Sequence, residues 1–150
     1  MFRGVSLINL DTKGRLAIPT KYRAELQECC DCHLVVTADR DGCLLLYPLP
    51  EWEAVEHRLA KLPDLNRNAR ALKRFMIGYA SECQMDAQGR ILLSENLRAF
   101  ADIDRRVAMI GQLNKFEIWN EKGWEGERDI WLKEGEAVDV EGTELGSLAL

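Results

Sequence analysis

The 150-residue chain has no Gly-rich phosphate loop followed by Lys-Ser/Thr, no His-Glu-x-x-His and no Gly-x-Ser-x-Gly. These absences remove the commonest signatures of nucleotide hydrolysis, zinc proteolysis and serine-based acyl transfer. Histidine, the usual proton carrier near neutral pH, occurs only at His33 and His57. His57 falls beside Glu53 and Glu56 on an amphipathic segment and reads as a surface residue rather than a general base. No apolar run is long enough to span a bilayer, and Met1-Phe2-Arg3-Gly4 lacks the basic-then-apolar layout of a secretory signal. A cytoplasmic protein is expected.

Paired cysteine spacing is also scarce. The five cysteines are odd in number and read as reduced thiols. Cys29 and Cys32 form one Cys-x-x-Cys pair with His33 beside it, but structural zinc needs four converging ligands, and Cys43 and Cys83 supply no second pair. The expectation is local thiols in a loop, with no metal and no cofactor.

Positive charge is short overall, with a net charge of −5, yet it is unevenly spread. Residues 121–144 carry nine acids against three bases, a net −6, which leaves +1 for the rest. Residues 1–25 are net +3, and Arg67, Arg70, Lys73 and Arg74 cluster without an acid among them. Since phosphate neutralisation works within a Debye length of about 8 Å, such patches matter more than the total. The bases at 67–74 read as a solvated helix face, with a DNA-contacting surface as the alternative. With 47% hydrophobic and 30% charged residues, the chain has the make-up of one or two small globular domains.

What the chain does have is a repeat. Asp11-Thr12-Lys13-Gly14-Arg15 recurs 75 positions later as Asp86-Ala87-Gln88-Gly89-Arg90. Each copy is followed by an apolar-x-apolar run, Leu16-Ala17-Ile18 or Ile91-Leu92-Leu93. Arg23 and Arg98 keep the same offset, whereas Tyr47 and Trp52 answer Trp119 and Trp124 at an offset of 72. A repeated unit implies two similar pieces packed together and a site that exists twice.

Asp-x-x-Gly is turn chemistry: the carboxylate accepts from the backbone two residues on, and glycine supplies a positive φ. Between Val5–Leu10 and Leu16–Ile18, and again between Ala80–Met85 and Ile91–Leu93, it reads as a hairpin connection. The arginine directly after each glycine has two readings. It pairs across its own turn with Asp11 or Asp86, or it offers a planar fork to phosphate or guanine. A carboxylate-pair hydrolase built on Asp11 and Asp86 is disfavoured, because the turns already account for both.

Elsewhere, Pro19-Thr20 opens a helix over Lys21–Glu28, with Thr20 as its cap. His33–Ala38 and Cys43–Tyr47 form a hairpin around Asp39-Arg40-Asp41-Gly42. Trp52, Val55, Leu59 and Leu62 recur at helical spacing, and Leu65, Ala69, Leu72, Phe75 or Met76, and Tyr79 form a second stripe. A helix over Glu95–Phe100 capped by Ser94 follows, then strands at Arg106–Gly111 and Lys115–Trp119. A final helix starts near Asn120, and Gly142–Leu150 reads as frayed.

The Met-Phe-Arg-Gly start, Asn9-Leu10-Asp11-x-Lys13-Gly14-Arg15, Ile18-Pro19, Cys43-Leu44-Leu45-Leu46-Tyr47-Pro48 with Trp52, and Asp86-x-x-Gly89-Arg90 together resemble the MraZ family of bacterial transcriptional regulators over roughly residues 1–125. The resemblance implies an α+β fold: two tandem swapped-hairpin, AbrB-like half-domains forming an intrachain pseudo-dimeric β-barrel with flanking helices. The implied division is a first half-domain at 1–53, connecting helices at 54–79, a second half-domain at 80–124 and an acidic tail or helix at 125–150. It further implies a nucleoid-associated regulator, usually a repressor of its own division and cell-wall operon. Such a regulator binds tandem short G-rich repeats in double-stranded DNA as a ring-like homo-oligomer, and no membrane is involved.

By position, the resemblance points to Arg15 and Arg90 as readers, with Lys13 and Gln88 beside them, while Asp11, Gly14, Asp86 and Gly89 shape the loops. The second loop is the less basic, with Ala-Gln in place of Thr-Lys. A rival reading is an antitoxin-like protein-interaction module that uses the acidic tail with Trp124 and Trp131.

Overall fold

A computed structural model of the chain describes residues 1–134. The expected fraying at Gly142–Leu150, and the tail from residue 135 onward, lie outside the described residues.

The strands and helices follow the repeat. The first half contains β1 (Phe2–Asn9), β2 (Arg15–Ala17), α1 (Thr20–Cys30), β3 (His33–Ala38), β4 (Leu44–Pro48) and α2 (Leu49–Ala60). After α3 (Arg67–Met76) the series recurs as β5 (Ser81–Gln84), β6 (Arg90–Leu92), α4 (Glu95–Phe100), β7 (Arg106–Leu113), β8 (Phe116–Asn120) and α5 (Glu121–Glu134). The fold is α+β, as expected.

Pairing interleaves the halves. A six-stranded antiparallel sheet runs β1-β7-β8-β4-β3-β5, and β2 pairs with β6 in a separate two-stranded ribbon. The first strand of the first half therefore lies against the second half, over eight residue pairs from Phe2 opposite Leu113 to Asn9 opposite Arg106. In return β5 lies against β3, with His33 opposite Gln84.

This corrects the hairpin reading of the two Asp-x-x-Gly turns. Each turn closes locally, with Asp11 N–H donating to the Arg15 carbonyl at 3.0 Å and Asp86 N–H to that of Arg90 at 2.9 Å. The strands on either side then diverge, because their partners belong to the opposite half. The hairpin expected at Asp39–Gly42 does form, and β3 pairs directly with β4.

Side-chain alternation explains why the sheet is covered on both faces. Leu34, Val36, Leu44, Leu46, Val107, Met109, Phe116 and Ile118 face a core shared with α1, α4 and the ribbon residues Leu16 and Ile91. Val35, Leu45, Tyr47, Ala108 and Trp119 face the opposite way, where Trp52 of α2 and partly buried Trp124 of α5 cover them. Strands buried on both faces read as continuous apolar runs, which is why Cys43–Tyr47 shows so little alternation. Thr37, the one buried polar residue among those described, donates its hydroxyl to the Met76 carbonyl and ties β3 to the end of α3.

Two helix starts differ in kind. Ser94 caps α4 through its hydroxyl, which accepts from Leu97 N–H at 3.3 Å. Thr20 does not cap α1: it is already helical, and Pro19 holds the cap position without a side-chain bond. Proline's fixed φ starts the helix there instead. Leu65 departs from its predicted stripe, since it precedes α3 and is fully exposed. Cys29 and Cys30 close α1 rather than sit in a loop.

Candidate nucleic-acid interface

The two Asp-x-x-Gly-Arg segments fold alike. In the first, Asp11 Oδ1 accepts from the Lys13 and Arg15 backbone N–H groups, both at 2.9 Å, while Oδ2 takes the Arg15 Nε at 2.6 Å. In the second, Asp86 Oδ1 accepts from Gln88 and Arg90 N–H at 2.9 Å, and Oδ2 takes Arg90 Nε at 3.1 Å. These bonds hold both carboxyls below their ordinary value of 3.8, the backbone bond from the arginine being the largest cause in each. Gly14 and Gly89 sit at φ +83° and +77°, in the left-handed region where a β-carbon is strained.

The cross-turn pairing of Arg15 with Asp11 and of Arg90 with Asp86 is thus present, and it leaves the fork partly open. The aspartate engages Nε on one edge of each guanidinium. Among the described residues, the terminal nitrogens of Arg15 bond nothing, and Arg90 Nη2 reaches only Gln88 Oε1 at 3.4 Å. Both arginine side chains are about a third exposed, at 31% each. Each is aimed by its own turn and stays partly exposed.

The ribbon sets the spacing. Arg15 lies opposite Leu92 and Ala17 opposite Arg90, with Leu16 and Ile91 between them. Leu16 and Ile91 point into the core, so period-2 alternation puts Arg15, Ala17, Arg90 and Leu92 together on the outer face. Leu92 is 56% exposed there. Arg15 and Arg90 are displaced by two residues along the ribbon, about 7 Å at normal strand rise. Lys13 and Gln88 stand exposed on the loops at its two ends.

Arg23 and Arg98 were not singled out as site residues, although they share the 75-residue offset of the turns. The structure places Arg98 of α4 beside Gly14 and Arg23 of α1 beside Gly89. The shared offset was the available signal.

Other candidates are dispersed. Lys73 donates to the Leu62 carbonyl and to Asp64 Oδ1, both at 2.7 Å, and Arg70 Nη1 donates to the Asp64 carbonyl, so half of the α3 basic cluster secures the preceding loop. Asp39, Cys43 and Glu117 bring three potential ligand atoms within 4.8 Å of one another. Burial drives the Cys43 thiol far above its usual value, and it donates to Asp39 Oδ2 at 3.7 Å. A protonated thiol is a poor ligand. Burial likewise pushes Cys30 up to about 12 and Cys83 up to about 11.

Against this geometry, comparison with known proteins is decisive. The MraZ protein family model, whose description also carries the words antitoxin-like, matches residues 1–75 and again 76–128. The chain belongs to the MraZ family. A "Transcriptional regulator MraZ" from Methylococcus capsulatus is 54% identical across 99% of both chains. Proteins of the same name from Thioalkalivibrio sulfidiphilus and Halorhodospira halophila are 51% and 52% identical over the full length of both chains. MraZ relatives are thus named as regulators of transcription rather than as enzymes. No helix among the described residues is long and apolar enough to cross a membrane.

Proposed function

We propose that the chain is a transcriptional regulator that binds double-stranded DNA through the outer face of the β2–β6 ribbon, reading guanines with Arg15 and Arg90. The observation that carries this reading is that each arginine is held at Nε by its own turn aspartate while, among the described residues, the terminal nitrogens of Arg15 bond nothing and, of those of Arg90, only Nη2 is engaged, with Gln88. Arginine offering two parallel donors to guanine O6 and N7 is the commonest specific major-groove contact, and that groove admits a two-stranded ribbon. A separation of about 7 Å matches two base steps of about 3.4 Å. Lys13 and Gln88 reach phosphates or base edges at the two ends of the ribbon, and exposed Leu92 supplies an apolar surface for a thymine methyl.

Asp11, Gly14, Asp86 and Gly89 shape the loops without touching DNA. One such ribbon supplies only about 1–3 kcal/mol of discrimination per bidentate contact. A ring-like homo-oligomer facing tandem short G-rich repeats raises this by engaging successive repeats at high effective concentration. In this reading the protein is nucleoid-associated and represses the division and cell-wall operon that contains its own gene.

The test is a fluorescence-anisotropy titration of wild type, Arg15→Ala and Arg90→Ala against the DNA upstream of the protein's own gene and against a scrambled duplex, at two salt concentrations. Salt-dependent preference for the upstream DNA that falls about 5- to 150-fold in each variant supports the reading. Equal, weak binding to both duplexes, unaffected by either substitution, refutes it and directs attention to a protein partner for the acidic tail.

A further inference from the structure

We propose that the two loops are supported crosswise: Arg98 of the second half positions the Asp11–Arg15 loop, and Arg23 of the first half positions the Asp86–Arg90 loop. The inference rests on the DNA-reading role of those loops.

The guanidiniums of Arg23 and Arg98 lie against glycine backbone that belongs to the other repeat. A β-carbon at Gly14 would stand 2.9 Å from both Cζ and Nε of Arg98, and one at Gly89 would fall on the Arg23 guanidinium itself. Glycine is therefore required twice over, for its positive φ and for the close approach of the arginine.

Each arginine is also tied to the ribbon. Arg23 Nε donates to the Ile18 carbonyl at 2.8 Å, and Ile18 N–H in turn donates to the Gly89 carbonyl at 2.8 Å. In the other half, Arg98 Nε donates to the Leu93 carbonyl at 3.0 Å, and Leu93 N–H donates to the Gly14 carbonyl at 3.0 Å. The two chains of contact match residue for residue at the 75-residue offset of the repeats. Arg23, Ile18 and Gly89 form one connected unit, and Arg98, Leu93 and Gly14 form the other.

The crossing follows from the antiparallel ribbon. The end of β2 leads into α1 and lies beside the start of β6, where the second loop enters, so an arginine one turn into α1 meets the opposite loop. A planar guanidinium covers a flat glycine peptide and keeps one edge for the carbonyl, which a lysine ammonium does not do. Each reading arginine therefore depends on an arginine of the other half, since neither loop is complete without it.

The first test is independent of DNA. NMR of the full chain follows the Arg15 and Arg90 Nε–H signals and the Gly14 and Gly89 amides in Arg23→Ala and Arg98→Ala. Arg98→Ala is expected to shift the Arg15 and Gly14 signals and speed their exchange while leaving Arg90 and Gly89 in place, and Arg23→Ala to do the converse. Disturbance confined to the variant's own half, equal disturbance of both loops, or none at all overturns the proposal. Should an alanine variant not fold, Arg98→Lys and Arg23→Lys keep the charge without the planar fork and take the same readout.

The second test uses the upstream duplex. Arg98→Ala is expected to weaken binding about 5- to 150-fold when made in wild type or in Arg90→Ala, and to add little when made in Arg15→Ala. Its salt dependence should match wild type. A slope lower by about one would make Arg98 a direct phosphate contact and overturn the positioning role. If wild type itself shows no preference for the upstream DNA, the DNA reading fails while the NMR comparison still decides the crossed support.

Discussion

At the scale of single residues, the turn aspartates and glycines carry most of the argument. Each aspartate accepts three hydrogen bonds from its own loop, all to the ionised form. Because the folded carboxyls titrate below 3.8, their contribution is fully present above the unfolded value and disappears as pH falls through the lower folded one. Carbon-13 NMR titration should therefore place the Asp11 and Asp86 midpoints below 3.8, and midpoints at or above it would contradict the loop geometry. Gly14→Ala and Gly89→Ala force a β-carbon into the left-handed region and against an arginine, and each should cost about 1–3 kcal/mol in denaturant unfolding. Gly42 also has a positive φ but meets nothing within 4 Å, so Gly42→Ala should show the backbone strain alone and cost less. The Asp-x-x-Gly-Arg loops were legible because their chemistry is local. The approach of Arg23 to Gly89 and of Arg98 to Gly14 was not, because each glycine lies in the other repeat.

Among the elements, capping separates what local sequence can and cannot establish. Ser94 and Thr20 both precede helical runs and read alike, but only Ser94 accepts a backbone N–H. Ser94→Ala should lose about 1 kcal/mol in chemical denaturation, whereas Thr20→Ala should stay within about 0.5 kcal/mol of wild type. Equal losses would show that Thr20 has a role its position does not explain. Asn66 makes the same point from the other side: its side chain caps α3 through the Asn68 and Ala69 N–H groups, although in sequence it falls inside the apolar stripe that begins at Leu65. Elements with strong periodicity, such as α2 with buried Trp52 and Leu59 or the β3–β4 hairpin, emerged from sequence almost unchanged. Which strand pairs with which did not, because turn chemistry specifies a reversal and pairing is decided by distant apolar faces.

For the whole molecule, interleaving is the governing property. Among the described residues β1 pairs only with β7 and β2 only with β6, so neither half can satisfy its strands alone. Residues 1–75 expressed by themselves should show no cooperative unfolding transition as monomers, and mixing them with residues 76–150 should restore one. A separately folded monomeric half would contradict the shared core. The same interleaving places Arg15 and Arg90 on one ribbon, and it is this placement, not either motif alone, that suggests a reader of two nearby guanines. The most direct measurement is binding of wild type and Arg15→Ala to the upstream duplex with its repeat guanines replaced by 7-deazaguanine, which removes the N7 acceptor and keeps the backbone. The account predicts a loss of about 1–3 kcal/mol for each guanine contact, so wild type should lose more than Arg15→Ala, which keeps only the Arg90 contact. Unchanged wild-type affinity, or the same loss in both proteins, would contradict guanine reading by the turn arginine.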